Sequence, residues 1–245
     1  MIYIKSNNEL ELMREPCKIV RDVLLLAEEK LQAGMTTGEL NKILHDYIIS
    51  SKAKPSFLGK YGFPASACIS IDNEVVHGVP GNRVIKEGEI VSIDVGAYKN
   101  GFHGDGARSL YVGKISPEKK KLIDVTKESF FKGIEGICIG SAIGDVGSQI
   151  QSYVEQNGFS IVRDMVGHGI GKQLHEDPQV PNYGRRGTGV RLRKNMTLAI
   201  EPMVNMGSHH VIIDGLSCVT QDGLPSAHYE NTVVITDNGV EILTV

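Results

Sequence analysis

Asp94 and Asp105 stand eleven residues apart, on either side of Lys99-Asn100-Gly101-Phe102. Asn-Gly is the strongest short signal for a two-residue hairpin, because both central positions need a positive φ. With Asn100 and Gly101 at the tip, Asp105 faces Gly96. Asp94 lies two residues further along the same face. Diagonal partners in a hairpin are roughly 7–8 Å apart, so both carboxylates reach a common guest. Set among Val91, Ile93 and Val95, two unneutralised carboxylates would repel each other. A divalent cation is the simplest neutraliser, and two adjacent cations are also allowed. Three more positions join them. His168 lies in Val166-Gly167-His168-Gly169-Ile170-Gly171, Glu201 in Leu198-Ala199-Ile200-Glu201-Pro202, and Glu230 in His228-Tyr229-Glu230-Asn231-Thr232. Alone, each reads as an edge-strand carboxylate facing water or a hydrogen-bonded core histidine. Beside the aspartate pair they read as a shared site.

These side chains must be carried by regular elements. Ser6-Asn7-Asn8-Glu9 is a capping box opening a helix, with Leu10, Met13, Cys17, Val20 and Leu24 on one stripe and an end near Gly34. Thr36-Thr37-Gly38-Glu39 is a second, followed by Leu40, Ile43, Leu44, Tyr47 and Ile48 at helical spacing. Lys54-Pro55 closes that region. Strands are predicted over Ala67–Ile71, Ile90–Val95 and a return arm toward Val112. Ser116-Pro117-Glu118 starts a third helix with Pro at its first position. Leu122, Val125 and Phe130 continue it. A fourth helix is predicted from near Ser141 to Asn157-Gly158. Strands are predicted around Phe159–Val162, Thr197–Pro202, His209–Ile213 and Thr232–Ile235. The order helix, helix, strands thus occurs twice. It predicts one domain over 1–245, with two similar α+β halves (about 1–113 and 114–245) sharing a core. The conspicuous loop from Asn182 to Asn195 carries Arg185, Arg186, Arg191, Arg193 and Lys194, a cluster expected to face water.

The bulk numbers are those of a globular chain. Of 245 residues, 41% are hydrophobic and 22% charged, which excludes a disordered chain. A net charge of −3 gives no general attraction to nucleic acid. The amino-terminal stretch has no signal-peptide pattern, and no apolar run is long enough to span a bilayer. Cys17, Cys68, Cys138 and Cys218 form no Cys-x-x-Cys pair. They are expected to be free buried thiols in a reducing cytoplasm.

The set Ile93-Asp94, Gly104-Asp105, Gly167-His168-Gly169, Ile200-Glu201-Pro202 and Glu230 resembles the five-ligand signature of the type I methionine aminopeptidases. These are dinuclear metallohydrolases of the pita-bread fold. The resemblance spans essentially the whole chain, with the five motifs in order at compatible separations. It implies an α+β fold whose antiparallel sheet core is covered by helices. It also implies hydrolysis of the N-terminal methionine from nascent proteins and peptides, favouring a small second residue. In the family pattern Asp94 holds one metal, His168 and Glu201 the other, and Asp105 and Glu230 bridge them. Four carboxylates carry a charge that two divalent ions cancel. Oxygen ligands with one imidazole suit cobalt, manganese, iron or zinc rather than a thiolate-type structural site. Two ions about 3.5–4 Å apart share a water and make it a hydroxide near neutral pH, the nucleophile for amide hydrolysis.

The resemblance carries further roles. His77, in Asn73-Glu74-Val75-Val76-His77, and His175, seven residues after His168, flank the scissile bond without binding metal. His77 would meet the peptide nitrogen, and His175 would donate to the carbonyl oxygen. Glu201 would also move the proton from the attacking water to the leaving amine. Tyr61, Phe63, Cys68, Leu174 and Leu216 are expected beside the methionine side chain, an apolar and sulfur-tolerant wall. Leu174 and Leu216 depart from the aromatic rings many relatives carry there, and the chain has no tryptophan. The partners expected are N-terminal methionyl peptides and nascent chains, with the ribosome as a further candidate. A monomer is expected, with no membrane and no sequence-specific nucleic acid. The short interval from His168 to Glu201 leaves no room for the insertion of type II relatives. The amino-terminal zinc-binding extension of some relatives is not expected. Two rivals remain: a proline-specific aminopeptidase on the same fold, and a non-catalytic binding protein that kept the fold.

Overall fold

All 245 residues are described in the computed structural model. Helix α1 runs over Asn7–Lys30 and α2 over Thr37–Ser50. Both begin at the capping boxes. Glu9 N donates to Ser6 Oγ at 3.3 Å, and Ser6 N donates to Glu9 Oε2 at 2.9 Å. Glu39 N donates to Thr36 Oγ1 at 3.1 Å, and Thr36 N to Glu39 Oε2 at 2.7 Å. Such caps are each worth about 1 kcal/mol. The predicted stripe of α1 is buried throughout. Roughly 1.5–3 kcal/mol for each large apolar side chain holds this helix down. Helix α1 ends at Lys30 rather than near Gly34, because Leu31 already has extended φ and ψ.

Fifteen strands lie between or beside the helices as follows. Strands β1 Lys54–Pro55, β2 Ala67–Ile71 and β3 Glu74–Val76 lead to the hairpin of β4 Ile90–Lys99 and β5 Phe102–Tyr111. Helices α3 Pro117–Ile134 and α4 Ile143–Gln156 pack on each other. Then come β6 Ser160–Ile161, β7 Gly167–Gly169, β8 Glu176–Val180, β9 Thr197–Ile200 and β10 Met203–Asn205. The remaining strands are β11 Val211–Asp214, β12 Ser217–Thr220, β13 Ser226–His228, β14 Glu230–Thr236 and β15 Gly239–Ile242. The boundaries differ from the sequence prediction at Phe159–Val162, Thr197–Pro202 and His209–Ile213. There the pairing partners, not the apolar run, decide how far each strand extends. Strands β3, β7, β8, β12, β13 and β15 carry too short a pattern to announce themselves.

A nine-stranded sheet runs in the order β1-β4-β5-β14-β9-β7-β8, with β2 beside β4 and β15 beside β14. Every pair is antiparallel. Two large apolar clusters back it. One joins α1 and α2 to the first strands, the other α3 and α4 to the later ones. Glycine lets the hairpin approach α1: a Cβ on Gly104 would lie 2.7 Å from the backbone nitrogen of Cys17. The turn itself has the predicted chemistry, with φ of 54° at Asn100 and 84° at Gly101. Cys17, Cys68 and Cys218 are buried free thiols, whereas Cys138 is exposed. That departs from the expectation of four buried thiols. Cys138 sits in the turn between α3 and α4, where its N–H donates to Ser141 Oγ at 3.1 Å. The five cations of the 182–195 loop are all exposed.

Candidate metal centre

Register places four of the five ligand candidates on one face, and Glu201 follows directly after β9. Asp94 faces Ala107 across β4 and β5, and Ala107 faces Glu230 across β5 and β14. Register partners point to one side of a sheet, and so do residues two apart. Asp105, two residues from Ala107 and opposite Gly96, therefore joins them. On the other flank His168 faces Ala199, and Ala199 faces Thr232. Glu201 is two residues past Ala199, and Glu230 two before Thr232. Five side chains from five segments thus share one face, with small Ala107 and Ala199 leaving room between them.

They line one cavity of about 170 Å³. That resembles the roughly 150 Å³ hollow that takes up a benzene ring, room for one side chain. Asp105 and Glu230 are 3% and 2% exposed. Ligand atoms of Asp105, His168 and Glu230 lie within 4.8 Å of one another, as do those of Glu201, His228 and Glu230. Asp94 belongs to the same cavity but to neither triad. His168 Nδ1 lies 2.8 Å from the carbonyl oxygen of Gly169. Since that oxygen only accepts, Nδ1 carries the proton and Nε2 presents its lone pair. Nε2 then faces Asp105 Oδ2 at 3.9 Å and Glu201 Oε1 at 3.7 Å. Metal-binding histidines are held in this way by a backbone carbonyl. Asn182 Nδ2 donates to the Glu201 carbonyl at 3.0 Å, and Thr232 Oγ1 clamps the Asp105 backbone from both sides.

The electrostatics are those of a site built for positive charge. Burial pushes the Asp94 carboxyl up to about 7, and Glu201 adds to the rise. Burial raises Glu201 to about 8. Burial and the neighbouring carboxylates hold Asp105 and Glu230 well above the usual range. Burial lowers His168 and His228 to about 4, so both rings are neutral. Asp94 Oδ1 and Glu230 Oε1 are buried with no hydrogen-bond partner. Buried polar atoms are rarely left so. Orphaned carboxylate oxygens beside a neutral, oriented imidazole are the donor set of a divalent-metal site.

The other predicted residues line the same cavity. His77 follows β3 with φ of 61°, an unusual backbone for a residue with a side chain. Its carbonyl accepts from Ser217 Oγ at 3.1 Å. Burial lowers the pKa of His77, and lowers that of His175 to about 4. The His175 ring stands edge-on to His168 at 4.5 Å between centroids. Glu176, next in the chain, accepts from buried Lys5 at 2.6 Å and so ties this loop to the amino-terminal segment. Phe63, Cys68 and Leu174 form a buried wall with Phe57 and Met13. Tyr61 and Leu216 are 82% and 46% exposed and stand at the rim.

Sequence reasoning missed two participants. His228 approaches Glu201 Oε2 at 3.4 Å through Nε2 and is 1% exposed. Its signal was present: it lies two residues before Glu230 in extended chain. Lys60 also lines the cavity, and nothing in its sequence neighbourhood marks it.

Metallopeptidase family M24 matches the chain over residues 11–237. A methionine aminopeptidase of Clostridium perfringens is 56% identical over 246 aligned positions, spanning 100% of this chain and 99% of that protein. The crystal structure of methionine aminopeptidase from Thermotoga maritima superposes with a TM-score of 0.98 at 45% identity, covering 100% of this chain and 99% of that one. Prolidase from Pyrococcus furiosus superposes at 0.81 with 24% identity, covering 99% of this chain and 65% of its own. The second likeness is one of fold alone, and together they identify the curled antiparallel sheet with its helices as the pita-bread architecture.

Proposed function

The chain belongs to metallopeptidase family M24, and from that premise we infer that it is a metal-dependent aminopeptidase. It removes the N-terminal methionine from proteins and peptides, favouring a small second residue. The observation that carries the catalytic reading is the convergence of Asp94, Asp105, His168, Glu201 and Glu230 on one cavity, with orphaned carboxylate oxygens. We assign these five residues to two divalent ions, of cobalt, manganese, iron or zinc. Bound there, such ions polarise the scissile carbonyl and supply deprotonated water near neutral pH. His228 stands beside Glu201, its Nε2 3.4 Å from Oε2.

The remaining roles follow from the chain's own side chains. The wall of Phe63, Cys68 and Leu174 takes the methionine side chain, for which a thioether in an apolar hollow is well suited. Tyr61 and Leu216 close over it at the rim. His175, adjacent to His168, donates to the carbonyl oxygen as charge develops. His77, which lines the same cavity, contacts the peptide nitrogen. Glu201, raised toward neutrality by burial, takes a proton from the attacking water and returns it to the leaving amine. The two halves, 1–113 and 114–245, act as one catalytic domain, since the first supplies both aspartates and the second the other three ligands. We place the protein in the cytoplasm as a monomer acting on nascent chains, with the ribosome as the site of encounter. No helix is long and apolar enough to cross a membrane.

Metal-loaded protein given Met-Gly-type and Xaa-Pro-type peptides tests this reading. Methionine should be released from the first and nothing from the second. Faster release from Xaa-Pro peptides would make it a proline-specific enzyme. No release with any of the four metals would leave a binding protein.

A further inference from the structure

Lys60 is the one lysine or arginine among the residues lining the cavity. It makes no ion pair and no side-chain hydrogen bond. The Lys60–Gly62 turn that carries it is tightly held. Gly59, Tyr61 and Gly62 all have positive φ, at 82°, 50° and 81°. Lys60 N donates to the Phe57 carbonyl, and Phe63 N to the Lys60 carbonyl, both at 2.9 Å. The ammonium lies 4.9 Å from the centroid of the Tyr61 ring. That ring lies parallel to His175 at 6.3 Å.

On the aminopeptidase reading, two divalent ions held by Asp94, Asp105, His168, Glu201 and Glu230 would cancel the four carboxylates of the floor, which would leave Lys60 uncompensated. Its place relative to the substrate follows from shape. The first residue fills the buried hollow of Phe63, Cys68 and Leu174. The rest of the peptide must leave through the mouth, past exposed Tyr61 and half-buried Lys60. We propose that Lys60 is a subsite for a carboxylate carried by the substrate just beyond the scissile bond. That carboxylate is an acidic side chain at the third residue or the terminal carboxylate of a short peptide. The inference rests on the aminopeptidase reading and adds a charge preference to it.

The test compares kcat/KM for Met-Gly-Glu-Ala, Met-Gly-Gln-Ala and Met-Gly-Lys-Ala, all amidated, on metal-loaded wild type, Lys60→Gln and Lys60→Arg. A further arm compares Met-Gly-Ala as free acid and as amide. Wild type should favour Glu over Gln, or free acid over amide, by roughly two- to fivefold, the range of a solvent-facing ion pair. Lys should be the poorest third residue. The preference should shrink in high salt, survive in Lys60→Arg and vanish in Lys60→Gln. Which arm shows it tells side-chain from terminal carboxylate. Each ratio is taken within one variant, so differences in the fraction of active protein cancel. No preference in wild type, or the same preference in Lys60→Gln, would overturn the subsite while leaving methionine release intact. Failure of wild type to release methionine from any of these peptides would overturn the aminopeptidase reading and the subsite with it.

Discussion

The floor and the mouth of the cavity are built on opposite principles. The floor stands on paired strands. Asp94, Asp105 and Glu230 are set by register across β4, β5 and β14, and His168 by register on β9. Its carboxylates are desolvated, and Asp94 Oδ1 and Glu230 Oε1 have no hydrogen-bond partner. The mouth is made of a tight turn and a hairpin, Lys60–Gly62 and the Gly215-Leu216 tip between β11 and β12. Tyr61 and Leu216 are open to water there, and Lys60 is half-buried. A rigid, dry floor holds charge in one geometry, which is what bond-breaking needs. An open mouth can differ from chain to chain without disturbing that geometry, which is what selection needs.

Three experiments press on this difference. The largest effect is expected at the floor. Replacing His168 by Ala removes the one oriented imidazole of the Asp105–His168–Glu230 group and should lower kcat by more than about a hundredfold with metal supplied. Near-normal turnover would place His168 outside the ligand set.

Metal removal should come next, and its pH dependence has a sign. Asp94 and Glu201 have folded-state pKa values of about 7 and 8, above their ordinary 3.8 and 4.5. The folded state therefore binds more protons than the unfolded one over that interval, and stability falls as pH rises through it. Buried His103, His168, His175 and His228, lowered from 6.5 to about 4, act in the opposite sense. Their contribution grows as pH rises from 4 to 6.5 and is complete above that. Between pH 4 and 6.5 the two sets oppose each other. From pH 6.5 to 8 only the carboxyls remain. Protein treated with chelator should lose stability across that upper window, on the order of 2 kcal/mol, read as a falling Tm. Metal-loaded protein should keep a higher and flatter Tm. Identical Tm with and without chelator at pH 8 would mean that the four carboxyls do not share a cation.

The smallest effect is expected at the mouth. Leu216→Ala should raise KM for a methionyl peptide about two- to fivefold and leave kcat within about twofold, since a half-exposed leucine contributes about 1 kcal/mol of apolar contact. A fall in kcat of orders of magnitude would show that the rim also organises the chemistry.

Legibility in the sequence follows the same division. The four helices were readable because capping, proline and apolar spacing act within a few residues: Ser6 with Glu9, Thr36 with Glu39, Pro117 at a helix start. The β4–β5 hairpin was readable because Asn100-Gly101 determines its own turn and hence the register of Asp94 and Asp105. The three-residue strand at Gly167–Gly169 was not, because it is a strand only through partners on β8 and β9. His228 had a faint signal in its spacing to Glu230, but its approach to Glu201 depends on the pairing of β13 with β10, which sets His228 opposite Met203. Cys138 was misjudged because burial of a thiol depends on what packs over its turn.

Local chemistry, then, was enough to determine the helices, the central hairpin and which carboxylates could meet across it, since those outcomes depend on neighbours along the chain. Only the folded sheet decided that His168, Glu201 and Glu230 would join the two aspartates and that a lone ammonium would stand at the opening. Those placements are set by pairing between segments many tens of residues apart, a relation that no short stretch of sequence encodes.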